Sequence, residues 1–305
     1  MQISKQKAAS RAPPSIAACY FRPPSAAWSV RSSRSMTQQH SPDLERRFGG
    51  LARLYGAEGA ARIRAARVAV VGIGGVGSWA AEALARSGVG AITLVDLDNV
   101  AESNVNRQIH ALTSTLGQPK VEAMRQRIAL IHPGCEVHCV EDFAAPGNWP
   151  ALLPAAVDGV IDACDQVHAK QALAAWALKT RALFITCGAA GGKRQGERVE
   201  IADLAEVTHD PLMAALRARL RQTGSMAKGG KNGKDRQARS GLHVVFSREA
   251  VTRPAACGPQ PGHDRNLNCH GYGSAVTVTA TFGLVAAGWM LERLAQGRAL
   301  QHPHT

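Results

Sequence analysis

Between residues 67 and 107 the chain reads RVAVVGIGGVGSWAAEALARSGVGAITLVDLDNVAESNVNR, and this stretch constrains the fold more than any other. Residues 68–71 are a continuous apolar run, which predicts a strand buried on both faces. Gly72, Gly74, Gly75 and Gly77 follow, then an amphipathic segment at 78–87 closed by Gly88. A second apolar strand at 91–95 ends in Asp96-Leu97-Asp98. Strand, glycine loop, helix, strand and acid, in that order, are how a parallel sheet holds a nucleotide. The glycines let the backbone approach a diphosphate, the helix N-terminus offers N–H groups, and the acid takes ribose hydroxyls. By itself the motif says nucleotide and no more; NAD fits it as well as ATP.

Beyond it the α/β alternation continues. A helix is predicted from the GQPK step to residue 131, with Pro119 at its first position. Lys120 then sits in the first turn, where the helix dipole disfavours a cation, so it either reaches into solvent or meets something anionic. Strands are predicted at 136–140, 159–162 and 183–186, with a helix at 168–180. About five strands with helical crossovers predict an α/β, Rossmann-like, doubly wound and mostly parallel sheet. Asp96 and Asp165 follow strand ends and would line the ligand crevice, although Asp165 would equally suit an N-cap of the helix after it. Further strands are expected at 198–201 and 242–246, and Asp210-Pro211 marks a helix start. Residues 275–291 carry no charge over 17 positions, at the short limit for a membrane span. Their threonines and glycines, behind such a sheet, predict a buried C-terminal helix and no stable membrane insertion.

The two ends look separate from this body. No Asp or Glu precedes Asp43, so residues 1–42 are expected to be a disordered or mis-annotated extension, with Met36 as an alternative start to Met1; a transit peptide would have the same composition. Six basic residues and no acid lie before Met36, so removing them takes the net charge from +13 to +7. The organisation expected is therefore an extension at 1–42, one domain at 43–296 with a mobile basic insertion at 222–241, and a tail at 297–305. Eight basic residues between Arg217 and Arg239 read either as a solvated linker or as an electrostatic footprint on nucleic acid. Seven cysteines without a C-x-x-C pair point to a reducing compartment, hence a cytoplasmic protein, and argue against structural zinc. Cys135 and Cys139 are expected in the core, and His110, His263 and His270 have no metal-site spacing.

If the glycine loop holds a nucleotide, Arg107 and Lys120 supply cations beside its phosphates, and Asp165 offers an oxygen ligand for magnesium. Cations and metal around a phosphate chain suit attack on phosphorus, where stabilising developing charge dominates. A carboxylate attacking the α-phosphate of ATP is already ionised and needs no general base.

GIGGVG, LVDLDNVAESNVNRQ, the GQPK step and DACDQ, in this order and spacing, resemble the ubiquitin-activating-enzyme-like (ThiF/HesA-type) adenylating superfamily. The resemblance implies nucleotide binding by Gly72, Gly74, Gly75, Gly77, Asp96, Asp98, Asn104, Arg107 and Lys120, and magnesium held by Asp165. It also implies a homodimer in which an arginine reaches in from the partner subunit; Arg53 is the expected residue, with Arg47 the alternative. RFGGLARLYG, NRQIHAL, the DPL-containing helix and VTATFG extend the likeness to the tRNA threonylcarbamoyladenosine dehydratases, over roughly residues 44–295. That narrower resemblance implies ATP and Mg2+ as cofactors, a monovalent cation whose ligands are unassigned, and tRNA carrying threonylcarbamoyladenosine as substrate. It implies adenylation of the threonyl carboxylate followed by intramolecular displacement of AMP, with the 217–239 segment as a tRNA contact. The alternative is an adenylyltransferase acting on the C-terminus of a ubiquitin-like sulfur carrier, and a sulfur-transfer partner protein is left open. Relatives of that kind often hold zinc with two C-x-x-C pairs, which this chain lacks. Cys257 and Cys269 are the positions open to thiol chemistry, although ring closure within the substrate needs none.

Overall fold

The computed structural model describes residues 42–226, 239–252 and 272–297. The extension up to residue 41 with Met36, the insertion's Lys228, Lys231, Lys234 and Arg236, the loop with Cys257, His263, Cys269 and His270, and the tail after residue 297 lie outside the described residues.

Among the described residues seven strands form one sheet in the order β3-β2-β1-β4-β5-β7-β6. They are β1 (Arg67–Val71), β2 (Ala91–Val95), β3 (Glu136–Val140), β4 (Gly159–Asp162), β5 (Phe184–Cys187), β6 (Val199–Asp203) and β7 (His243–Ser247). Every pairing is parallel except β6 with β7 at the edge. The α/β, doubly wound expectation therefore holds, and the further strands expected at 198–201 and 242–246 are β6 and β7. The chain steps from β1 through α2 (Gly77–Arg86) to β2 on one side, and from β4 through α4 (Val167–Thr180) to β5 on the other. Beside β1 and β4 the winding reverses, and their carboxyl ends open a crevice.

Alternate β1 side chains face two cores, which is why the run is apolar throughout. Val68 and Val70 join a cluster with Leu84 of α2, Met124 of α3 (Lys120–Ile131) and Phe282 of α6 (Val276–Ala295). Ala69 and Val71 join another with Leu173 of α4 and Leu216 of α5 (Pro211–Gln222). The uncharged C-terminal segment is the buried helix expected. A Cβ on Gly283 would lie 2.3 Å from the Val76 carbonyl oxygen, so this glycine lets α6 cross α2 at backbone contact. No helix among the described residues is long and apolar enough to cross a membrane.

The helix α1 (Leu44–Ala65) is capped by Asp43, which accepts the Arg46 N–H, and is broken at Gly56, where φ is 74°. Its second half lies against the end of α6, where Arg62 Nε donates to the Ala295 carbonyl at 2.8 Å. Asp210 caps α5 as expected, accepting the Met213 N–H with Pro211 in the first turn. Pro119, by contrast, is the residue before α3, and Lys120 is the helix's first residue.

Candidate active site

At the carboxyl ends of β1, β2 and β4 lies a cavity of about 540 Å3. That volume suits a small-molecule or cofactor site. Its floor is the turn after β1. Gly72 has φ of 88°, and a Cβ there would press on the Cys164 nitrogen at 2.8 Å, so only glycine makes this bend so close to the turn after β4. A Cβ on Gly74 would meet nothing within 4 Å, which leaves its backbone open to a ligand. No side chain among the described residues caps the N-terminus of α2; the Ser78 N–H donates to the Gly74 carbonyl at 3.1 Å, and the helix end remains a favourable place for an anion.

Asp96, at the end of β2, braces this loop. It is buried, its Oδ2 accepts the Ile73 N–H at 2.6 Å, and its Oδ1 accepts the Asp98 N–H at 2.9 Å. Burial raises its pKa against the opposing pull of Lys120 and those two N–H groups. Lys120 does not reach into solvent. Its Nζ lies 2.6 Å from Asp98 Oδ2 and 3.7 Å from Asp96 Oδ1, which offsets the dipole penalty of a cation in the first turn.

Asn104 is buried in the short 3-10 turn Glu102–Asn104, and its Oδ1 accepts the Ala101 N–H at 3.0 Å. Three residues on, Arg107 has its carbonyl fixed by the Trp79 indole N–H at 2.9 Å and donates from NH1 to Ser103 O and Asn106 Oδ1. Opposite, α4 begins at Val167 with Gln166 as N-cap and no side-chain cap bond. Asp165 is therefore not spent on capping. Its exposed carboxylate makes no hydrogen bond or ion pair among the described residues, and it lines the cavity.

One cavity thus gathers Gly72, Gly74, Gly75, Asp96, Asp98, Asn104, Arg107, Lys120 and Asp165. Two of the expected residues stand outside it. Gly77 is structural, since a Cβ there would sit 1.8 Å from the Gly72 carbonyl oxygen. Arg53 projects from α1 into solvent and has no hydrogen bond or ion pair among the described residues. Arg47 is committed elsewhere: its NH1 donates to the Ile131 carbonyl at 2.6 Å beside a separate cavity.

Residues 48–303 match the ThiF family. The chain belongs to the ThiF family. Over 262 residues it is 42% identical to the tRNA threonylcarbamoyladenosine dehydratase of Escherichia coli (strain K12), covering 84% of this chain and 96% of that one. It is 39% identical to the enzyme of that name from Haemophilus influenzae over 256 residues, covering 83% and 94%. The crystal structure of the E. coli dehydratase TcdA in complex with ATP superposes with a TM-score of 0.74 at 41% identity, covering 85% of this chain and 97% of that one.

Sequence reasoning missed part of this ThiF-family site. Beneath the turn after β4, Asp162 and Lys170 form a wholly buried ion pair, with 3.1 Å between Lys170 Nζ and Asp162 Oδ2. Burial acts to lower the Lys170 pKa, but Asp162 beside it prevails and the net direction is upward. The available signal was an acid closing the otherwise apolar strand GVID and a lysine in the first turn of the helix that follows, VHAKQALAAWALKT. Phe143, Leu212 and Tyr272 add apolar wall to the cavity; Leu212 belongs to the DPL step, while Phe143 and Tyr272 carried no motif.

The cysteines within reach behave as core thiols. Burial pushes Cys135 and Cys187 up to about 12 and Cys139 to about 11, and burial with Asp162 alongside holds Cys164 well above the ordinary thiol value. None of the four is a thiolate near neutral pH. No group of three or more His, Cys, Asp or Glu among the described residues could hold a metal alone. Asp165 fits the other way of holding magnesium, in which one carboxylate shares the ion with waters and substrate phosphates.

Proposed function

We propose that the chain is an ATP-dependent tRNA threonylcarbamoyladenosine dehydratase. The observation that carries this reading is Arg107, Lys120 and Asp165 around one glycine loop, in a chain that matches 96% of the E. coli dehydratase.

In this reading the open backbone at Gly74 and Gly75 and the uncapped α2 N-terminus receive the phosphates, and Asp96 uses its remaining lone pairs for the ribose. Asn104 and Asp98 line the same nucleotide. The threonyl carboxylate forms a bond to the α-phosphorus while the bond to the β-phosphate bridging oxygen breaks and pyrophosphate leaves. Arg107 and Lys120 stabilise the charge that develops on the phosphate oxygens. Asp165 would hold Mg2+, which neutralises charge on the phosphate chain when bound. The carbamoyl nitrogen or oxygen then attacks the acyl carbon, its proton is lost to solvent, and AMP leaves with the former carboxylate oxygen. The net change is loss of one water from the nucleoside.

A homodimer belongs to this proposal. Arg53, exposed and uncommitted among the described residues, is better placed to reach a partner's phosphates than Arg47, which is tied to Ile131. The basic insertion would meet the tRNA backbone.

The test is to incubate the protein with ATP, magnesium and tRNA carrying threonylcarbamoyladenosine, then digest to nucleosides. Mass spectrometry should find the nucleoside lighter by one water. ATP turnover that is equal without tRNA would sink the proposal, and pyrophosphate exchange driven by a diglycine-tailed carrier protein would favour the adenylyltransferase alternative.

A further inference from the structure

The turn at residues 163–166 lines the cavity and carries Asp165, and its own hydrogen bonds lead downward to Asp162. Asp162 Oδ1 accepts the Cys164 N–H at 3.2 Å and the Cys164 S–H at 2.7 Å. Oδ2 accepts the Thr186 hydroxyl at 2.7 Å and faces Lys170 Nζ at 3.1 Å. Lys170 also donates to Thr186 Oγ1 at 2.9 Å and to the Asp162 carbonyl at 3.4 Å. The acceptor capacity of this carboxylate is therefore fully used, and its orientation is fixed from both sides.

Neither residue has any solvent exposure. Taking two charges out of water is unfavourable, and a well-packed apolar pair would serve the core equally well. What an apolar pair cannot do is accept two hydrogen bonds from Cys164. The turn also has little room. The Ala163 N–H donates to the Val71 carbonyl at 2.8 Å, and Gly72 already sits against Ala163 and Cys164 with no space for a Cβ. A shift of the turn would move the glycine loop or swing Asp165 away from it.

We infer that Lys170 and Asp162 are a positioning pair, which holds the turn at residues 163–166 so that the Asp165 carboxylate meets the metal-bearing phosphates. Lys170 orients Asp162, Asp162 anchors Cys164, and Asp165 follows from the backbone. The inference rests on the functional reading above, in which ATP and magnesium share this cavity.

The test measures ATP affinity by calorimetry, with and without Mg2+, on the intact protein. Magnesium should tighten ATP binding about tenfold in the wild type. In Lys170→Met that gain should fall below about twofold, with magnesium-free affinity unchanged. If Lys170→Met does not fold, the charge-neutral pair Asp162→Asn with Lys170→Met takes its place. There the amide has one acceptor and no cation to fix its direction, so the same loss is expected. Adding Lys170→Met to Asp165→Ala should cost nothing further, because one route carries both effects; an additive loss is the signature of an independent role. A folded variant that keeps the full magnesium gain overturns the inference alone. A wild type that binds no ATP overturns the functional reading and the inference with it.

Discussion

Lys120 Nζ and Asp98 Oδ2 lie 2.6 Å apart, although 22 residues separate them in the chain. The contact is built by the backbone. Asn99 bridges Pro119, and the Lys120 N–H donates to the Asp98 carbonyl at 3.0 Å, so the start of α3 is pinned beside the end of β2. The ammonium is thereby held at the cavity wall. Lys120→Met should lower the rate of ATP–pyrophosphate exchange by about 10²–10³, the usual scale for losing a donor to developing charge. Arg107→Ala should do the same. Near-normal exchange in both would remove them from the reaction.

Asp165 offers a cleaner separation of activity from stability. It is exposed and makes no hydrogen bond among the described residues, so Asp165→Ala should change folding free energy by no more than about 0.5 kcal/mol. Exchange should nonetheless fall by about 10² or more. Urea melts and exchange assays on one preparation decide it, and a variant that loses both equally would make Asp165 structural.

The glycines make a contrasting pair. A methyl at Gly77 would collide with the Gly72 carbonyl at 1.8 Å, and Gly77→Ala should destabilise the fold by roughly 1–3 kcal/mol. A methyl at Gly74 would meet no atom of the described residues within 4 Å, so Gly74→Ala should melt like wild type. It should still weaken ATP binding, because the added group projects where a phosphate would approach. Equal melting of the two variants would contradict the loop geometry.

His110 predicts the acid limb of stability. It is buried with both ring nitrogens unpartnered among the described residues, and burial, then Lys120 and Arg127, lower its pKa to about 4. The unfolded chain takes up this proton near pH 6.5 and the folded chain only near 4, so the contribution is present above 6.5 and is lost as pH falls through 4. Its size is about 3 kcal/mol. His110→Gln, which does not titrate, should flatten the stability–pH curve between those limits in urea melts; an unchanged slope would mean that another group titrates there.

Cross-subunit action of Arg53 is testable by complementation. Arg53→Ala and Asp165→Ala should each be inactive alone. Mixed dimers would contain one site with an intact Asp165 and an intact partner arginine, and should recover part of the exchange rate. Recovery with Arg47→Ala in place of Arg53→Ala would transfer the role.

Much of the site was legible because its signals are local. The continuous apolar run at β1, the glycine spacing after it and the acid ending β2 each depend on residues a few positions apart, and α5 starts at the Asp-Pro step as its cap chemistry dictates. The uncharged 17-residue segment was ambiguous in isolation, and only its packing against α2 and the sheet shows what Gly283 is for. Asp165 had two local explanations, cap or ligand, and α4 beginning after Gln166 removes the first of them.

The sequence by itself therefore determined the strand–loop–helix order, the α/β class and most of the polar groups that line the cavity, since periodicity, glycine and capping act over a few residues. Only the tertiary structure decided where the charges ended up. Lys120 turned to Asp98 and Lys170 to Asp162 because a strand end lies beside a helix start, and Arg47 turned to Ile131 because the start of α1 lies beside the end of α3; no local pattern encodes either adjacency.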